Sequence, residues 1–258
     1  MGLISRDRMC DRTVRASFSN GNIICSQLVK IIVGQTKTEF FIHKSLLLPA
    51  EFFKRALDGN EWAEKEDNTV TLPEMTAEIF AIYAKWMYTS IIHSKNVTSG
   101  LGRMGGAGLI KNVDQESEEW YRLACCYALG SFLQDMQFLD TVIDACAELI
   151  LEQNALNASF IATVCEHSSA NSRHRLLMMH FAAYCTRYVH HTDALSKDFL
   201  TKVFEHMRKQ VDNPHCFFTP KSVLCRSNPC KYHDHGQSYR CYKTEIRRLS
   251  RYYLEKDQ

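Results

Sequence analysis

The sequence has no apolar run near the ~18 residues that a membrane-spanning helix requires, so no span of that kind is expected. No apolar signal core follows the charged start Arg6-Asp7-Arg8, and secretion is not expected either. Neither sign of charge dominates: 31 Lys and Arg stand against 29 Asp and Glu, a net charge of +2. Nothing global therefore draws the chain to nucleic acid or to an anionic membrane. There is no GxxxxGK[ST] phosphate loop, no HExxH element, and no spaced acid, base and nucleophile, so the chain is not expected to be an enzyme. Cysteine, by contrast, is plentiful. An odd count of 11 without a secretion signal points to reduced thiols and an intracellular location, cytoplasm or nucleus.

What is present is an ordinary globular balance of 45% hydrophobic and 23% charged residues over 258 positions, enough to bury a core. Val29, Ile31, Ile32 and Val33 predict a strand over 28–33 by their β-branched richness. Gly34-Gln35-Thr36-Lys37 predicts a hairpin turn, with Gly34 free to take a positive φ, and Phe40, Phe41 and Ile42 continue into a second strand. Residues 44–57 lose the alternation and suit two short helices broken near Pro49. Asn68 to Leu72 alternates again. From Thr76 the period becomes helical, with Ile79, Phe80, Tyr83, Trp86 and Met87 on one stripe.

Glycines at 100, 102, 105, 106 and 108 make residues 94–117 a flexible insertion, because no strand leads into the run and it lacks phosphate-loop order. Helices are expected to resume at Glu118. Trp120, Leu123, Ala124, Tyr127 and Ala128 form one stripe, and Phe138, Leu139, Val142, Ile143, Cys146 and Ile150 the next. Asn157 is placed to cap a third helix running through Cys165. Leu177, Phe181, Tyr184, Cys185 and Tyr188 mark a fourth, and Phe199, Leu200, Val203, Phe204 and Met207 a fifth.

The order of elements from Leu28 to Thr89, with His43-Lys44 closing the second strand, Glu51-Phe52-Phe53 in the capping helix and Val70-Thr71-Leu72-Pro73-Glu74 in the third strand, resembles a BTB/POZ domain. Trp86-Met87-Tyr88-Thr89, Tyr127-Ala128-Leu129-Gly130, Phe132-Leu133-Gln134-Asp135 and the stretch Asp140 to Asp144 extend the resemblance to Ile150, and it is most like fungal BTB proteins. The resemblance implies a non-enzymatic protein-interaction module that self-associates as a homodimer or binds a protein partner. The family includes substrate adaptors for cullin-RING ubiquitin ligases, whose hydrophobic–x–Glu element contacts the cullin scaffold. Trp62-Ala63-Glu64 stands at that position, with Trp62 as anchor and Glu64 as the carboxylate beside it. Gln27 replaces the acidic residue usual before the first central strand, which weighs against a co-repressor groove. His43 is read as a hydrogen-bonded structural histidine.

A second source of specific chemistry is Cys225-x4-Cys230-x2-His233-x-His235-x5-Cys241. Zinc takes four such ligands in a tetrahedron. Cys225, Cys230, His233 and Cys241 are the expected structural zinc set, with His235 as the alternative histidine. No catalytic-zinc element accompanies them. The basic helix that follows, with Lys243, Arg247, Arg248 and Arg251 against Ile246, Leu249, Tyr252 and Tyr253, leaves a zinc-dependent nucleic-acid-binding regulator as the alternative function.

The expected fold class is therefore α/β (α+β), a small mixed sheet flanked by helices. The expected divisions are a flexible segment at 1–19, a BTB/POZ domain at 20–153 with its insertion at 94–117, a helical extension at 154–212, and a Cys/His-rich tail at 213–258.

Overall fold

The computed structural model describes residues 26–58, 68–95, 113–184, 188–190, 193, 195–211, 230–235 and 241. The expectations for residues 1–19, the glycine run, Trp62 and Glu64, Cys225 and the basic terminal helix lie outside these residues.

Strand β1 (Leu28–Val33) is central. It pairs antiparallel with β2 (Thr38–His43) and parallel with β3 (Thr69–Leu72), giving the order β2-β1-β3. Alternation decides its faces: Val29, Ile31 and Val33 are buried, and Ile42, Val70 and Leu72 from the neighbouring strands join them. At the turn Gly34 has φ +73°, and a Cβ there would stand 2.9 Å from the Met75 carbonyl oxygen, so only glycine fits. Helices α1 (Lys44–Leu47) and α2 (Glu51–Asp58) flank Pro49 and bury Leu47, Phe53, Ala56 and Leu57 under the sheet.

Helix α3 (Ala77–Thr89) buries the expected stripe of Ile79, Phe80, Tyr83 and Trp86. Two long antiparallel helices follow, α4 (Val113–Leu133) and α5 (Met136–Gln153). The first begins at Val113, earlier than the expected Glu118, because helix continues into the polar stretch ahead of the apolar stripe. Their corner is tightly specified. Gln134 takes φ +55°, and Asp135 caps α5 by accepting from the Phe138 N–H at 3.0 Å and from the Tyr83 hydroxyl at 2.8 Å. Burial raises the Asp135 pKa, and these same bonds oppose the rise. Gly130 lets the helices close: a Cβ there would lie 2.9 Å from Phe138 Cδ1. Trp86 Nε1–H donates to Thr141 Oγ1 at 3.2 Å and locks α3 to α5.

The helical half holds a small surprise. Strands β4 (Ala155–Asn157) and β5 (Tyr188–His190) form a parallel two-stranded sheet. Tyr188 therefore belongs to a strand and not to the fourth helix, α7 (Arg173–Tyr184), which ends before it. Pairing with the short strand ahead of α6 (Ala158–Glu166) satisfies backbone groups that a longer helix would have kept to itself. Asn157 caps α6 as expected, accepting from Phe160 N–H at 3.1 Å. In α8 (Lys197–Val211) only Phe199 and Val203 of the apolar stripe are buried; Leu200, Phe204 and Met207 face outward. Among the described residues no helix is long and apolar enough to cross a membrane.

Candidate metal centre

Helix α5 places two of its four acids, Asp140 and Asp144, among the buried Phe138, Leu139, Val142 and Ile143. Residues i and i+4 share a helix face, so the two carboxylates project side by side. Asp140 is 1% exposed and accepts from His174 Nε2 of α7 at 2.8 Å and from the backbone N–H of Asp234 at 2.9 Å. The far ring nitrogen of His174, Nδ1, meets the Tyr127 hydroxyl of α4 at 2.8 Å. This Tyr–His–Asp chain is fully internal. The Tyr127 hydroxyl, both ring nitrogens of His174 and Asp140 Oδ1 each find a partner, as burial demands.

The segment 230–235 is laid over that network. Cys230 to Tyr232 form a turn, and His233 N–H closes it on the Cys230 carbonyl at 3.2 Å. Asp234 reaches the start of α7, where its carboxylate accepts from Arg173 N–H at 2.7 Å and from the Ser172 hydroxyl. A carboxylate at a helix N-terminus satisfies orphan N–H groups and complements the helix dipole. Tyr232 is buried, with its hydroxyl 2.7 Å from His180 Nδ1. What reads in the sequence as a tail without a core of its own is docked on α5 and α7 at these residues.

Docking turns four metal-binding side chains toward one point. The donor atoms of Cys230, His233, His235 and Cys241 all lie within 4.8 Å of one another. A zinc ion with Zn–S of ~2.3 Å and Zn–N of ~2.0 Å sets its tetrahedral ligands roughly 3.3–3.8 Å apart, so the cluster needs only side-chain adjustment to reach that geometry. His233 Nδ1 already stands 3.3 Å from Cys241 Sγ. Both ring nitrogens of His235 are buried without a hydrogen-bond partner. An imidazole seldom stays so, since burying unsatisfied polar atoms is unfavourable; a metal–nitrogen bond would satisfy one of them. Two sulfurs and two nitrogens suit zinc among the common ions, and four protein ligands close the coordination sphere. Such a site holds structure together and leaves no position for a reacting water.

The electrostatics favour a cation here. Burial works against charge on His233, but its contact with Asp144 and then that with Cys241 outweigh it and lift its pKa to about 9. Among the described residues the other buried thiols are of another kind. Burial pushes Cys126 up to about 12 and Cys146 well above the usual thiol value, and neither has the environment of a ligand or nucleophile. A cleft of about 680 Å³ borders the centre, with Asp234 and His235 on one wall and Glu51 and Gln134 on the other.

Of the residues expected from spacing, Cys230, His233, His235 and Cys241 lie together, and Cys225 is outside the described residues. Sequence reasoning missed Asp140, Asp144 and His174. Their signal was an acid pair at i, i+4 inside an apolar stripe. His43 is a structural histidine: its Nδ1 lies 2.8 Å from the Tyr88 hydroxyl, to which its backbone N–H also donates at 3.3 Å.

No curated protein matches this chain. A family model described as BTB/POZ domain matches residues 27–102. The match takes in β1 through α3, the mixed sheet with its flanking helices; the part of the resemblance that runs on to Ile150 lies beyond it. A BTB domain is a protein–protein interaction module and is generally non-catalytic. Residues 27–102 of this chain are a BTB/POZ domain.

Proposed function

We propose that this chain is a protein-interaction adaptor in which the BTB half engages a cullin scaffold and the C-terminal Cys/His loop folds around a structural zinc ion. The observation that carries the zinc part is the convergence of Cys230, His233, His235 and Cys241 on a docked loop, with His235 left unpartnered. When bound, zinc would supply a cross-link between the loop residues and no reaction chemistry. The loop's own residues do the rest: Asp234 and Tyr232 fasten it to α7, and the four donors enclose the ion.

The cullin part is supported by the BTB match and by the place of Trp62-Ala63-Glu64 between α2 and β3. An aromatic anchor with a carboxylate beside it has the composition of an interface hot spot. A pull-down of purified cullin by the full chain tests it. Trp62→Ala is expected to weaken capture at least ~10-fold, as loss of a hot spot of ~2 kcal/mol implies, with the circular dichroism spectrum unchanged. Equal capture by the variant removes Trp62 as the contact. For the metal, native mass spectrometry of zinc-grown protein is expected to give one zinc per chain, and a metal-free mass would remove that part.

A further inference from the structure

We propose that Asp144 makes His233 bind the metal through Nδ1, and thereby positions a ligand from a helix far away in sequence. The inference rests on the zinc reading of the loop and adds to it a residue outside the ligand set.

The two ring nitrogens of a histidine point in different directions, and the partner of one decides what the other can do. Here Nε2 lies 3.0 Å from Asp144 Oδ2, and Nδ1 faces into the cluster, 3.3 Å from Cys241 Sγ. A carboxylate offers acceptors only, so Nε2 carries the hydrogen and donates it. A metal then displaces hydrogen from Nδ1, the nitrogen on the side where the other donors converge, and leaves Nε2–H on Asp144. His233 is 1% exposed, so its packing holds the ring in this orientation. The backbone is held too: the next residue, Asp234, gives its N–H to Asp140 one turn earlier on α5. Helix α5 thus grips one loop residue by its main chain and its neighbour by its ring. Such carboxylate–histidine–metal arrangements raise ligand basicity and orient the ring before the ion arrives.

His235 provides the contrast. Among the described residues neither of its nitrogens has a hydrogen-bond partner, so no carboxylate sets its tautomer. One histidine of the pair is pre-set by the helical body and the other is not.

The test uses the full chain, with zinc affinity measured by competition against a chelator and the histidine tautomers read from long-range ¹H–¹⁵N correlation spectra of the zinc-loaded protein. Asp144→Asn is expected to bind zinc ~10–100-fold more weakly than the unchanged chain. In the unchanged protein His233 is expected to be metallated at Nδ1 with hydrogen on Nε2. An affinity within twofold in Asp144→Asn, or metallation of His233 at Nε2, would overturn the role of Asp144 while leaving the zinc site standing. Failure of the unchanged chain to bind zinc would overturn the site itself and this role with it. Should Asp144→Asn not fold, the tautomer measured on the unchanged chain decides, because a merely structural carboxylate would not dictate which nitrogen meets the metal.

Discussion

Removing the Asp140 carboxylate should destabilise the molecule more than any surface change, and its size can be worked out. In Asp140→Ala, His174 Nε2 and the Asp234 N–H both lose their acceptor, at sites where Asp140 and His174 are each 1% exposed. Each orphaned buried donor costs ~1–3 kcal/mol, and breaking one side of a buried charged or hydrogen-bonded pair costs about 3–5 kcal/mol in comparable cases. Relief from burying the carboxylate offsets part of this, so about 3 kcal/mol is expected. At roughly 2–4 °C per kcal/mol for a domain of this size, the melting temperature in saturating zinc should fall by ~6–12 °C. The assay is thermal unfolding of four chains: unchanged, Asp140→Ala, His174→Ala and both together. Residues in direct contact show coupling of at least ~0.5 kcal/mol, so the double variant should lose clearly less than the sum. A fall under ~2 °C for Asp140→Ala, or strict additivity, would refute the view that this pair holds the loop to α5.

Chelation of zinc should raise amide exchange in α5 and α7, where the loop docks, and leave β1 to β3 at their original protection; uniform deprotection would show that the centre supports the whole fold. Cys241→Ser should lose the zinc in native mass spectrometry, and retention there would remove Cys241 from the ligand set; the same measurement on Cys225→Ser decides whether Cys225, outside the described residues, is a ligand too. Gly34→Ala should cost ~1–3 kcal/mol in urea unfolding, since an L side chain is strained at φ +73° and would press on the Met75 carbonyl. Burial, then His206 and Lys231, hold the His180 pKa down to about 4. The unfolded value is ~6.5, so its contribution is complete above about pH 6.5 and is lost as pH falls toward 4. His180→Gln should therefore flatten the decline in melting temperature between pH 7 and pH 5, and parallel curves for the two chains would remove this assignment.

Periodicity carried most of the fold. The strand alternation of Val29, Ile31 and Val33 and the helical stripe of Ile79, Phe80, Tyr83 and Trp86 follow from local rules, because one buried face is enough to set the period. Tyr188 went wrong for the opposite reason: its place in β5 depends on a partner strand thirty-odd residues away, and an aromatic residue suits helix and strand alike. In the candidate site the cysteines and histidines were legible by type, but their partners were not. Asp140 meets Asp234 across 94 positions and Asp144 meets His233 across 89, distances at which spacing carries no information. His235 had a local clue that went unused. In an extended segment alternate side chains share a face, so an extended His-x-His would point both rings one way.

The separation between Asp144 and His233 also orders events in time. A ribosome delivers helix α5 long before it delivers residues 230–241, and chains fold from the N-terminal side as they emerge. The BTB domain is thus delivered, and able to meet its partner, while Asp140 and Asp144 still await the loop residues Asp234 and His233. On the zinc reading, metal capture would be the last step of that assembly, and a chain cut short before Cys230 would keep its interaction domain without the Cys/His loop.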